Sequence, residues 1–120
     1  MKTWIVSAWL VALAFFAGSA RAQQGGVADD ARDGHRLAII ICSYCHLAAT
    51  DQADKPILQP PGPSFASLAR RKDVSADSLR AFLTTTHRDV SRSQGMPNPE
   101  LLDYQIKQVA AYILSLRDKP

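Results

Sequence analysis

Both cysteines of this 120-residue chain fall inside one five-residue window, Cys42-Ser43-Tyr44-Cys45-His46. A bond between them closes no long loop, so a chain of this size must be held by its core or by some other staple. Two thiols and an imidazole packed this closely point to a bound group as that staple.

The N-terminus reads as a targeting segment. Met1 and Lys2 precede an apolar run from Trp4 to Ala17, and Ala20-Arg21-Ala22 has the small-x-small form of a cleavage site. The run falls short of the roughly 20 apolar residues of a membrane span. Residues 1–22 are therefore expected to be a cleaved signal peptide directing the chain across the inner membrane to the periplasm. The mature protein would start at Gln23, with no stable membrane insertion afterwards. Cleavage removes two basic residues, Lys2 and Arg21, and no acidic one. Fourteen Lys plus Arg against eleven Asp plus Glu become twelve against eleven, and a net charge of +3 falls to +1. Such a balance offers nothing to a nucleic-acid backbone.

Residues 23–28 are polar and Gly-rich, which predicts a flexible lead-in, and residues 29–120 form one domain. A first helix is expected from Asp29 or Asp30 to the cysteines, with Gly34, Leu37, Ala38, Ile41 and Cys42 on one face. Pro56, Pro60, Pro61 and Pro63 make Leu47 to Pro63 an extended loop. Ser64 is placed to cap a short helix over Phe65 to Arg71, and Ser75 another with an inward stripe of Leu79, Phe82 and Leu83. A second loop runs from His87 to Pro99. Leu102, Ile106, Val109, Ala110, Ile113 and Leu116 then recur at helical spacing, with Lys107, Gln108 and Arg117 left for solvent. No strand pattern or internal repeat competes, so the fold class is all-α.

The CxxCH spacing has a physical logic. Thiols three apart at a helix end point the same way, so Cys42 and Cys45 can each form a thioether with one vinyl group of a single haem c, and His46 then lies beneath the iron. A redox dithiol would need a strand-helix-strand setting, and a closed zinc site would need a further ligand such as His35 or His87. Met96 is the only thioether left once Met1 is removed, and it sits in Gln94-Gly95-Met96-Pro97, a constrained loop before the last helix. Metal ligation is therefore assigned to His46 and Met96, a pair that raises the reduction potential and leaves no open position. His87 competes as the distal ligand or serves as a helix cap. His35 is expected to be exposed and without a role.

With these residues in view, the chain resembles the small class I, mitochondrial-type, monohaem c-type cytochromes of the bacterial periplasm, over about Asp30 to Arg117. Gly34, eight residues before Cys42, resembles the family glycine where the first and last helices cross. Val109 and Tyr112 resemble the aliphatic and the aromatic that pack there. Gly62-Pro63-Ser64-Phe65 resembles the family segment in which the proline carbonyl, here that of Pro63, accepts a hydrogen bond from the ligand histidine. The resemblance implies the cytochrome c fold, in which N- and C-terminal helices cross while short helices and loops wrap one haem. The chain also departs from the pattern. Ala38 stands where the family often has an aromatic, implying a less full crossing. Trp4 and Trp9 both lie in the signal segment, leaving Phe82 where relatives place a tryptophan near a propionate.

The resemblance implies a periplasmic electron carrier and not an enzyme. Its partners would be redox proteins: a periplasmic dehydrogenase or reductase as donor and a terminal oxidase or another cytochrome as acceptor. The alternative is a cytochrome subunit held on a periplasmic dehydrogenase complex. Arg88 and Arg92 flank the distal loop and could steer an acidic partner, whereas Arg70-Arg71-Lys72 reads as a solvated run. An open-iron enzyme or gas sensor of the four-helix type would carry its CxxCH near the C-terminus, unlike this chain.

Overall fold

Apolar residues three and four apart build the longest-range packing in the molecule, between the first helix and the last. The computed structural model describes residues 19–85 and 95–119. Residues 1–18, which hold Trp4, Trp9 and most of the expected signal peptide, lie outside the described residues, as do His87, Arg88 and Arg92. Among the described residues the chain is all-α, with an isolated bridge between His46 and Gly62 and no strand. The order is α1 (Ser19–Leu37), a π-helical turn (Ala38–Cys42), α2 (Phe65–Ala69), α3 (Ala76–Thr84) and α4 (Asp103–Ser115). No described helix is long and apolar enough to cross a membrane.

Helix α1 starts earlier than its sequence predicts. Residues 23–28, expected to be a flexible lead-in, are helical. In the full chain, residues 19–22 continue the helix upstream, so each following N–H finds a carbonyl four residues back. The Gly25-Gly26 pair weakens that turn by about 1 kcal/mol per glycine without ending it.

Gly34 explains where α1 meets α4. A Cβ built there would lie 1.9 Å from the carbonyl oxygen of Gln108 and 2.9 Å from Cβ of Tyr112, so only a hydrogen fits between the helices. Ala38, one turn on, is 0 % exposed. The sequence reading expects a looser crossing at this alanine, but the close approach that Gly34 permits covers it completely. Lys107 pairs with Asp30 at 2.8 Å across the same crossing.

On α4, Ile106, Val109, Ala110, Tyr112 and Ile113 are buried. Leu102, expected in the same stripe, is exposed at the position before the first turn, where its N–H donates to Gln105 Oε1 at 2.9 Å. Both predicted serine caps form. Ser67 N–H donates to Ser64 Oγ at 3.1 Å, and Ser75 and Ser78 exchange backbone-to-hydroxyl bonds of 3.1 and 2.8 Å. Leu79 and Leu83 face inward from α3, with Phe82 half-buried. Arg117 is not simply solvated: its guanidinium donates to Ala69 O at 2.9 Å and to Val74 O, tying the end of α4 to the turn between α2 and α3.

Candidate functional site

The cysteine motif sits where α1 changes pitch. From Ala38 to Cys42 the helix widens into a π turn, and Ser43 N–H donates to Ala38 O at 3.1 Å, five residues back. The wider turn shifts the side chains that follow. Gly34 and Ala38 keep the buried face, whereas Leu37, Ile41 and Cys42 are only half-buried, although the α-helical period puts all five together. Cys42 is thereby turned partly out of the core at the point where the chain leaves the helix. His46 N–H then donates to Cys42 O at 2.9 Å, closing the motif on itself.

Backbone bonds stitch this motif to the proline-rich loop. Ile57 N–H donates to Tyr44 O at 2.9 Å, Gly62 N–H to Cys45 O at 2.8 Å and Phe65 N–H to Leu47 O at 3.0 Å. That register sets Pro63 beneath His46. Nδ1 of His46 lies 2.8 Å from Pro63 O, and since a carbonyl only accepts, Nδ1 carries the proton and donates. Nε2 is then the ring's lone-pair donor, the tautomer that a metal needs. Gly62 is required by the same geometry. A Cβ there would stand 2.6 Å from Cε1 and 2.7 Å from Nδ1 of His46. The sulfur of Met96 lies near His46, and Met96 packs against the core.

The two sulfurs are free thiols, both half-buried. Burial first, and the neighbouring Cys45 second, push the Cys42 thiol up to about 11. Without a bound group it stays neutral near pH 7. Among the described residues, which do not include His87, no three His, Cys, Asp or Glu gather to hold a metal ion. Unbridged thiols, a one-tautomer imidazole and a nearby thioether are the donor set that haem c requires, and the residues present fit it.

Aromatic rings continue from the site into the helix crossing. The His46 ring centroid is 5.7 Å from that of Phe65, Phe65 is 6.3 Å from Tyr112, and Tyr112 is 5.0 Å from His35, each pair tilted. Tyr112 O–H donates to Ala48 O at 3.1 Å, anchoring the backbone two residues past His46. Burial, with the charge of Asp51 second, raises the Tyr112 phenol above its ordinary value. His35 is not idle. Its Nε2 meets Asp51 Oδ1 at 2.8 Å, and that hydrogen bond is the main reason the Asp51 carboxyl lies below its ordinary value. Sequence reasoning overlooks this pair, and it overlooks Phe65 as the neighbour of His46. The signal available for Phe65 is its place two residues after the Pro63 that faces the same ring.

No protein-family profile and no solved structure matches the chain. Among characterised proteins, cytochrome c-552 of Bradyrhizobium diazoefficiens is 38% identical over 98 residues, spanning 82% of this chain and 86% of the relative. Haem c is the cofactor this kinship implies, and the Cys42–Cys45 spacing fits its attachment. A likeness of that extent, joined to an all-α fold that presents CxxCH at a helix end, makes the chain a member of the small monohaem c-type cytochromes.

Proposed function

We propose that the mature chain is a one-electron carrier of the bacterial periplasm, with one haem c bound through Cys42 and Cys45 and axial ligation by His46 and Met96. The observation that supports this reading best is the 2.8 Å contact between His46 Nδ1 and Pro63 O, which leaves the opposite nitrogen with the lone pair that a metal would need. Bound haem supplies a one-electron iron couple. The protein's part is to hold that couple still. Pro63 and Gly62 fix the imidazole from below, Phe65 packs against its edge, and the Tyr112 bond to Ala48 O holds the chain just beyond it. His46 and Met96 would together hold the iron and leave no site for a substrate, so the chain would pass electrons without turnover of its own. The apolar run before Ala20-Arg21-Ala22 supports export to the periplasm. Donor and acceptor are other redox proteins there, of the dehydrogenase or reductase and the oxidase or cytochrome classes.

Potentiometry on the purified native protein tests the reading. A single reversible one-electron wave is expected, together with the weak red absorption band that marks iron–methionine bonding in this family. Met96→Ala should abolish the band and Met96→His should lower the potential by tenths of a volt, within the ~0.8 V over which axial ligands tune haem. A wild-type protein without the band would point to a different distal ligand. Migration of the native sample as one mature chain supports a free carrier, and constant co-purification with a larger enzyme supports the subunit alternative.

A further inference from the structure

Ala48, two residues past His46, is 1 % exposed, so its backbone is shut off from water. Both of its polar backbone groups are met by side chains. Its carbonyl accepts from Tyr112 O–H, and its N–H donates to Gln52 Oε1 at 2.7 Å. The N–H of Ala49 converges on the same oxygen at 3.2 Å. Two donors on one atom identify it as the amide oxygen, which leaves Nε2 of Gln52 to donate to Asp54 O at 2.8 Å. This clamp is itself held from the helix crossing, because His35 on α1 bonds the preceding residue, Asp51, at 2.8 Å. The proline-rich loop holds Cys45 O and Leu47 O through the N–H groups of Gly62 and Phe65, and Gln52 continues that stitching by two residues.

We propose that Gln52 is a positioning residue for the axial imidazole: by fixing the Ala48 and Ala49 peptides it sets the plane in which the His46 ring meets the iron. The proposal rests on the electron-carrier reading. The ring has little room to adjust. A Cβ at Gly62 would lie 2.6 Å from its Cε1, so the glycine backbone is already close against it, and Nδ1 must stay near Pro63 O to keep its 2.8 Å bond. Such a ligand has to be held within about 0.5 Å of its working geometry. Removing the Gln52 amide strands a buried N–H that water cannot satisfy, and the chain after His46 shifts until that donor finds a partner. The ring moves with it, and the Nδ1–H bond to Pro63 O weakens. An imidazole whose proton is less firmly shared is a poorer donor to ferric iron, so the reduction potential rises.

NMR of the holoprotein tests the clamp. In the ferrous wild type, a through-hydrogen-bond coupling is expected between the Ala48 amide nitrogen and the side-chain carbonyl carbon of Gln52, and its absence overturns the proposal. Gln52→Leu keeps the bulk but offers no acceptor. Its Ala48 N–H should exchange with solvent roughly tenfold faster, the scale of one buried hydrogen bond. The haem methyl shifts of its ferric form, which report the plane of the axial imidazole, should change their pattern, and its potential should rise. Gln52→Glu keeps an oxygen for both N–H groups and should restore the exchange rate and the shift pattern. Gln59→Leu, the same change at an exposed position of the same loop, should match the wild type in all three readouts. A merely structural role would lower the stability of Gln52→Leu and leave its methyl shifts and potential at wild-type values, and that result overturns the proposal. So does an equal effect of Gln59→Leu, or failure of Gln52→Glu to restore the shift pattern. Should Gln52→Leu not fold, the wild-type coupling and Gln52→Glu still decide. Covalent haem with a Soret band bears on the carrier reading, whereas the coupling reads the clamp, so each can fail without the other.

Discussion

At Gly34 one hydrogen atom decides whether the two long helices can meet. Alanine is the better helix former by about 1 kcal/mol. Its Cβ would nevertheless stand 1.9 Å from a backbone oxygen that cannot rotate away. Overpacking against main chain wins, and Gly34→Ala should destabilise the holoprotein by about 3 kcal/mol or more in chemical denaturation. Unchanged stability would mean the helices cross elsewhere. His35 and Asp51 give a second test at this scale. The Asp51 carboxyl lies below its ordinary 3.8 when folded, so its contribution is present above that value and lost as pH falls through the folded one. Acidification below about pH 4 should therefore weaken the wild type through this pair, and Asp51→Asn should flatten that part of the stability–pH curve. Added salt should shrink the difference, because both side chains reach water. A glycine eight residues before a cysteine pair can be recognised in the sequence. The histidine's partner cannot, because it lies 16 residues away across a loop of unpredictable path.

Helix spacing and serine caps are local properties, and at the level of elements they are legible. The cores of α3 and α4 follow the apolar period, and Ser64 and Ser75 cap where their sequences place them. Three features are not local and escape that reading. The π turn at Ala38–Cys42 inserts an extra residue into the helical register, which no 3.6-residue pattern reveals. Leu102 satisfies the period yet lies outside the helix. Arg117 looks like a solvated helix end, but its guanidinium reaches two carbonyls that face it only after α2, α3 and α4 have packed. Arg117→Ala strands both carbonyls in a partly buried seam and should cost about 2 kcal/mol of unfolding free energy. Arg117→Lys should restore little of it, since an ammonium lacks the planar fork that spans two acceptors. Equal stability of wild type and Arg117→Ala would mean that water replaces both bonds.

Across the molecule, the sequence motif and the three-dimensional fold converge on one place. A crossing of α1 and α4 holds the motif's helix, and three backbone bonds draw the proline-rich loop under it. A chain of tilted rings fills the space between. The linear order Cys42, Cys45, His46 is legible because thioether attachment needs neighbours in sequence. The support beneath His46 is not, because Gly62 and Pro63 reach it only through that folded register. Kinship with a cytochrome c-552 accounts for the pattern, and Gln52 clamps the chain just beyond His46. The central claim is covalent attachment at the two thiols, and intact mass measurement in denaturing acid tests it most directly. Protein made in a host able to mature c-type cytochromes should carry the mass of one haem, keep it through denaturation, and lose that retention when Cys42 and Cys45 are both replaced by serine. A mature chain of unmodified mass, with no Soret band, would contradict the account.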